Sequence, residues 1–386
     1  MRSASLAAQV KRHLMEAGSP LTHACVTAAV RAVSGSTGGE VGSEALVQQV
    51  THALRTELIG SAAVNALLDD ACVTDVLING SCGTWVDRGN GLQRVALPRC
   101  SDAESHAMTQ RLAVACGQRL DEAKPWVDAR LPDGTRLHVV IAPIATDGVN
   151  LSLRTFRPRM FTLGELVENN CLHPRAAQLL RAILAAKLTF LVTGGTNTGK
   201  TTFLASLLGE LPSCERVVVV EDSQELRCNH PHVISLQARI RNAEGAGSVS
   251  LRDLVRQALR MRPDRIIVGE CRGAEVVELL CALNTGHDGC AGTLHANSPA
   301  DVPARLEALG ALGGLDRAAL HSQLAASVHC VLHMRRHGAR RVLEEIALLR
   351  RDGGGTVEAA TAWALDGRPT AGYDALESLL ADRALR

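Results

Sequence analysis

Aromatic side chains are almost missing from this chain: three Trp, one Tyr and four Phe in 386 residues. A binder of single-stranded nucleic acid needs stacking platforms, and so few rings leave little to build them from. A basic surplus is missing too. Lys and Arg number 41 against 40 Asp and Glu, a formal net charge of +1, so no global positive field argues for direct contact with nucleic acid. No apolar run approaches the ~18 residues that a membrane-spanning helix requires. The N-terminal stretch lacks the apolar core of a signal peptide, because Lys11, Arg12 and Glu16 interrupt it. A cytoplasmic protein is therefore expected. Twelve cysteines are present without one C-x-x-C pair, which removes zinc-ribbon spacing and leaves most thiols to act as small buried hydrophobes. Lysine is the last scarcity: Lys11, Lys124, Lys187 and Lys200 are the only lysines among 41 basic residues.

Lys200 stands in a chemically meaningful place. Residues 194–202 read Gly194, Gly195, Thr196, Asn197, Thr198, Gly199, Lys200, Thr201, Thr202 and follow the strand-like run Leu188–Thr193. This is a complete G-x-x-x-x-G-K-[ST] loop, the Walker A pattern, between a buried strand and a helix expected over 203–210. Glycines let the backbone turn so that successive N–H groups face phosphate oxygens. The helix beginning at the loop adds its positive N-terminal dipole. Lys200 reaches the β- and γ-phosphates, and the Thr201 hydroxyl is a Mg²⁺ ligand. Arginine, a planar fork, cannot replace that compact ammonium. ATP and Mg²⁺ are the cofactors implied.

Length alone argues for two or three domains. Residues 1–58 are rich in Ala, Val and Leu at helical spacing and predict two helices around the turn Ser34–Gly39. Residues 59–156 predict a small α+β domain. Its strands are expected at Thr74–Gly80, Thr84–Asp87, a hairpin Trp126–Ile141 turning at Pro132-Asp133-Gly134, and Val149–Arg154, with a helix over 101–119. The stretch Arg157-Pro158-Arg159 reads as a linker, since proline disfavours helix in the residue before it. From there to residue 386, strands at 188–193, 216–221, 232–237, 265–269 and 290–295 alternate with helices. That rhythm predicts an α/β domain with a mostly parallel sheet covered on both faces. A C-terminal extension follows, with strands near 329–335 and 341–349 and a final helix near 373–385.

Four further signals surround the loop. Val217–Asp222 is an apolar strand ending in Glu221 and Asp222, carboxylates placed to hold Mg²⁺ through water or to orient an attacking water. Arg265–Glu270 is another, and Glu270 is the candidate base or water-positioner. Gly269 stands where a Walker B site usually has Asp. The passage Thr285–Asn297 carries His287 and His295, which suit a γ-phosphate sensor; no third ligand of matching spacing supports zinc. Arg130, Arg136 and Arg154 lie on strands of the first domain, and an arginine donated across a boundary would stabilise a transferring phosphoryl group. Each of these arginines, taken alone, is more often an ordinary exposed side chain.

Loop, Glu221-Asp222 box, Ile266–Glu270 strand and Thr285–Asn297 passage occur in the order of the type II/type IV secretion ATPase superfamily, which the chain resembles over roughly residues 60–350. Asp128–Arg136, Ser152–Arg154 and Leu251–Asp264 make it similar to the CpaF/TadA branch, the motor of tight-adherence (Tad/Flp) pili. The resemblance implies a RecA-like ATPase domain and a homo-hexameric ring with nucleotide between the two domains. It implies a cytoplasmic motor held peripherally at the inner face of the membrane by an inner-membrane platform protein. Lys200 and Thr201 map to its phosphate loop, Glu270 to its catalytic glutamate, His287 and His295 to its histidine box, and Arg130, Arg136 and Arg154 to its first-domain arginines. Cys290 stands where the family usually has serine. The competing reading is a DNA-handling motor, a conjugative translocase or helicase, because RecA-like cores serve both. A third is an assembly switch that hydrolyses little, against which Glu270 speaks.

Overall fold

The structure is a computed structural model that describes residues 2–17, 19, 21–35, 44–89, 91–97, 101–155, 160–239, 247–284, 288–338, 340–365, 367 and 370–384. His287 and the Arg157-Pro158-Arg159 linker lie outside these residues. The chain divides into two compact units, the break falling between Arg157 and Pro158.

The first unit opens with helices α1 (Arg2–Glu16), α2 (His23–Gly35), α3 (Glu44–Ile59) and α4 (Ala62–Asp69). Strands β1 (Asp75–Asn79), β2 (Gly83–Asp87) and β3 (Leu92–Val95), helix α5 (Asp102–Ala115) and strands β4 (Trp126–Arg130), β5 (Arg136–Val140) and β6 (Asn150–Arg154) follow. The sheet is antiparallel in the order β3-β2-β1-β6-β5-β4. Alternation puts Val127, Leu137, Val139, Leu151 and Leu153 on its buried face, where they share one core with Val10, Val30, Val50, Leu54 and Leu112 of the helices. Segment 1–58 thus holds three helices rather than two, and they are a layer of the same unit. The edge strand β3 was not expected, since its residues are exposed and show no apolar alternation. Nor does α5 reach 119: it stops at Ala115, and Gly117 follows at φ 69°.

Arg55 of α3 is buried between helices and sheet. It donates to Asp133 Oδ2 at 3.0 Å in the β4–β5 turn and also pairs with Asp69 of α4. His23 Nδ1 lies 3.0 Å from the Pro132 carbonyl in the same turn. Two helices therefore brace one hairpin.

The second unit comprises α6 (Leu163–Glu168), α7 (Pro174–Ala185), β7 (Phe190–Thr193), α8 (Lys200–Leu208), β8 (Val217–Glu221), β9 (Val233–Gln237), α9 (Leu251–Ala258), β10 (Arg265–Cys271), α10 (Glu275–Leu283) and β11 (Ala291–Leu294). It continues through α11 (Val302–Leu312), α12 (Arg317–Ser327), β12 (Cys330–His337), β13 (Arg340–Arg351), β14 (Val357–Ala364) and α13 (Tyr373–Ala384). Strand order is β14-β13-β12-β7-β11-β10-β8-β9, parallel from β12 to β9 and antiparallel through β13 and β14. Successive residues of each central strand enter opposite cores. Val217 and Val219 join the layer of α7, α8 and α13, while Val218 and Val220 join that of α9 to α12. Such doubly covered strands read as unbroken apolar runs, which is why they were legible. No described helix is long and apolar enough to cross a membrane.

Candidate nucleotide site

β7 lies in the middle of the sheet between β11 and β12, all four of its residues buried, so the loop leaving its C-terminal end is rigidly based. Gly194 (φ 147°), Asn197 (φ 61°) and Gly199 (φ 88°) turn the chain through left-handed conformations into α8. A Cβ at Gly194 would stand 2.3 Å from the Met334 carbonyl oxygen, so only glycine fits. The Thr198 hydroxyl donates to the Gly195 carbonyl at 3.0 Å, and Thr201 and Thr202 occupy the first turn of α8. Lys200 is buried and donates to the carbonyls of Gly194 at 3.1 Å and Gly195 at 2.9 Å. Burial holds its ammonium below the usual lysine range, against the pull of Glu270.

Lys200 Nζ also lies 3.4 Å from His295 Nδ1, and His295 Nε2 lies 2.8 Å from Glu270 Oε1. The ring thus stands between an ammonium and a carboxylate, and the 2.8 Å approach to Glu270 is a charge contact that leaves Oε1 without a hydrogen-bond donor. Burial first, and then the Lys200 charge, keep the His295 pKa below the ordinary imidazole value; Glu270 acts the other way. Glu270 Oε2 pairs with Arg272. Lysine, histidine, glutamate and arginine thus form a continuous chain from the phosphate loop across the ends of β11 and β10. The pairing of β10 with β11 shifts between Val268 and Cys271, so Gly269 and Glu270 form an irregularity that re-aims the carboxylate.

Glu221 has a different first task. It is buried, and its Oε1 accepts the N–H groups of Glu225 at 3.1 Å and Leu226 at 2.9 Å, capping the loop after β8. Its stem covers Gly269, where a Cβ would approach Glu221 Cγ to 2.4 Å. The small residue at the Walker B position is therefore a packing requirement. Asp222 is exposed. Cys290 is buried at the start of β11, the end away from the loop; its Sγ accepts the Ile266 N–H at 3.1 Å, and burial pushes its pKa up to about 12. Asp288, next to His287, lies at that same far end and pairs with Arg383 of α13 at 3.0 Å, whereas His295 follows the near end.

In the first unit Arg130 stands opposite Arg136, Arg136 opposite Arg154, and Arg154 opposite Asp75. Directly opposed residues of antiparallel strands share a face, so three arginines form a row across β4, β5 and β6. Arg136 forks onto Asp128 at 3.3 and 2.9 Å, and Arg154 is exposed. Like charges opposed this way are destabilising, and Asp128 beside Arg136 and Asp75 opposite Arg154 offset part of that repulsion.

Two cations beside the loop escaped the sequence reading. Arg272 lies two residues past Glu270, with no motif spacing to single it out. Arg341 of β13 donates from Nε and Nη2 to the carbonyl and side-chain oxygens of Asn197 at 3.0 and 3.1 Å.

The type II/IV secretion system protein family matches residues 57–359. A Mycobacterium tuberculosis (strain H37Rv) protein named for conjugal transfer is 53% identical over 338 residues, covering 86% of this chain and 96% of its own. Bordetella pertussis type IV secretion system protein PtlH is 31% identical over 262 residues, 61% of this chain and 76% of its own. Among solved structures, the Legionella pneumophila ATPase DotB superposes with a TM-score of 0.52 at 20% identity, covering 83% of this chain and 88% of that one. The pilus retraction motor PilT with bound ADP does so with 0.51 at 22%, covering 84% and 88%. These likenesses establish the fold, a RecA-like α/β core preceded by an α+β unit, and with the match across most of its length the chain belongs to the family of type II/IV secretion system proteins.

Proposed function

We propose that this chain is an ATP-hydrolysing motor of a pilus-assembly or protein-secretion apparatus, in the CpaF/TadA branch. It works as a homo-hexameric ring at the cytoplasmic face of the inner membrane, held there by a platform protein. The continuous chain Lys200–His295–Glu270–Arg272 carries this reading, because it couples a phosphate-binding ammonium to a carboxylate placed to act on water.

The residues present fit a nucleoside triphosphate: a left-handed glycine loop, a helix N-terminus behind it and one buried ammonium. ATP with Mg²⁺ supplies the scissile phosphoanhydride and a counter-charge. Residues 194–199 present backbone N–H groups, Lys200 contributes positive charge, and Thr201 contributes a hydroxyl for the metal. Glu270 takes the proton of the attacking water. His295 packs between the two, Nε2 against the carboxylate and Nδ1 against the ammonium, and so ties the position of Glu270 to that of Lys200. The resemblance gives Arg130, Arg136 and Arg154 the part of further positive charge for the transferring phosphoryl group.

The test is ring formation and turnover measured together. The full-length protein should assemble to six-fold mass with a non-hydrolysable ATP analogue and hydrolyse ATP, while Lys200→Ala should lose nucleotide binding and turnover with its fold intact. A strict monomer at high concentration with nucleotide, or unchanged turnover in the mutant, overturns the reading. A second reading is conjugative DNA transfer, favoured by the names of the M. tuberculosis relative and of the Rhizobium radiobacter conjugal transfer protein TrbB, 27% identical over 283 residues. Stimulation of hydrolysis by single-stranded DNA would favour it.

A further inference from the structure

A phosphate-binding loop turns its N–H groups inward, so its carbonyls point outward and need other partners. Here the outward groups are met by two cations. Lys200 serves the carbonyls of Gly194 and Gly195. Arg341, 144 residues away in sequence, serves Asn197 through both its carbonyl and its side-chain oxygen. Asn197 sits at φ 61°, the left-handed region that asparagine tolerates better than other non-glycine residues, and Arg341 engages it there.

Three contacts bring the β12–β13 hairpin against the loop. Thr193 Oγ1 and His333 Nδ1 share a hydrogen bond of 2.9 Å, just before the loop begins. The Met334 carbonyl closes on Gly194 so tightly that a Cβ there would lie 2.3 Å from it. The Arg341 stem lies under Gly199, where a Cβ would meet Arg341 Cδ at 3.1 Å. The hairpin is therefore a wall along the outer side of the loop from its first residue to its last, and Arg341 is the wall's only bond to the apex among the described residues.

We propose that Arg341 is a positioning residue for nucleotide binding: its fork onto Asn197 sets the left-handed apex of the phosphate loop and so aims the amides that follow. The chemistry favours arginine at this place. Two parallel donors in a rigid plane match two oxygens of one residue, which a lysine cannot do. A cation on the Asn197 carbonyl also polarises the peptide group it shares with the Thr198 N–H, strengthening that donor toward an anion. Arg341 acts through the loop: its Nε and Nη2 are both engaged by Asn197. The wall belongs to a strand pair far along the chain, so the site is larger than its motif.

This inference rests on the phosphate-loop reading of residues 194–202, and the controls separate the two. In the full chain, binding of a fluorescent ATP analogue and of ADP is measured for wild type, Arg341→Met and Arg341→Lys, with the melting temperature taken without nucleotide. Arg341→Met should bind both nucleotides about tenfold more weakly and raise KM more than it lowers kcat. Arg341→Lys should recover only part of the loss. Asn197→Gly combined with Arg341→Met should cost less than the sum of the single changes, because both act on one turn. Nucleotide affinity within about twofold of wild type in Arg341→Met, or strict additivity with Asn197→Gly, overturns the proposal. So does a loss of affinity that only tracks a fall in the nucleotide-free melting temperature. If Lys200→Ala also binds nucleotide normally, the phosphate-loop reading itself has failed.

Discussion

His295 Nε2 lies 2.8 Å from Glu270 Oε1, while the other ring nitrogen faces Lys200 Nζ at 3.4 Å. One neutral imidazole therefore reports to both the phosphate-binding cation and the candidate base. Movement of Lys200 toward a phosphate would alter what His295 can offer Glu270.

Glu270→Gln should bind ATP within about threefold of wild type yet turn it over at least about a hundredfold more slowly, because the amide keeps the shape and loses the base. Affinity and turnover measured side by side decide this. A parallel loss of both would make Glu270 a structural residue that orders Arg272 and His295.

The arginine row should matter for turnover more than for binding. Arg136→Ala or Arg154→Ala is expected to slow hydrolysis about tenfold in assembled rings, roughly 1.4 kcal/mol of transition-state stabilisation. The half-exposed pair of Arg136 with Asp128 is a weak competitor, worth about 0–1 kcal/mol, so the fork is readily given up to an anion. Normal turnover in both mutants would remove the first unit from the chemistry.

Acid should destabilise the protein through one buried histidine, His333, and two part-buried ones, His295 and His329. The pKa values of His295, His329 and His333 are all held below the ordinary imidazole value, by burial first in each case. Between the folded and unfolded values the unfolded chain carries more protons, so stability rises with pH there. It is complete above about 6.5 and lost as pH falls below that value. Melting temperatures followed from pH 7.5 down should show the drop, and His333→Gln should lessen its slope. An unchanged slope in the mutant would take His333 out of the account.

Arg265 predicts a stability effect without a functional one. Its buried guanidinium donates to Glu215 at 2.6 Å and to the carbonyls of Gly289 and Leu184 at 3.1 and 2.9 Å, at the edge formed by the strand N-termini, the end of the sheet away from the loop. Arg265→Ala leaves the Gly289 carbonyl without its donor and Glu215 with the half-exposed Lys187, and should cost about 3 kcal/mol in denaturant unfolding, the low end for a broken buried pair. Nucleotide affinity of the folded fraction should hold; an equal loss of affinity would mean that this edge and the loop are coupled.

Local residue types were enough for the sequence to determine the loop 194–202, the strand carrying Glu270 and the parallel strands around them. Glycine at a left-handed turn, an isolated lysine and unbroken apolar runs each carry their meaning within a few residues. What only the tertiary structure decided depends on partners distant in sequence. β14 is an alanine-rich run that becomes a strand by pairing with β13. Gly269 is explained by the stem of Glu221, and the direction of Glu270 by an irregular pairing with β11. The three arginines were visible one by one, but their alignment is a matter of strand register. Arg341 meets Asn197 only because β12 and β13 fold back beside β7, and no spacing rule spans that gap.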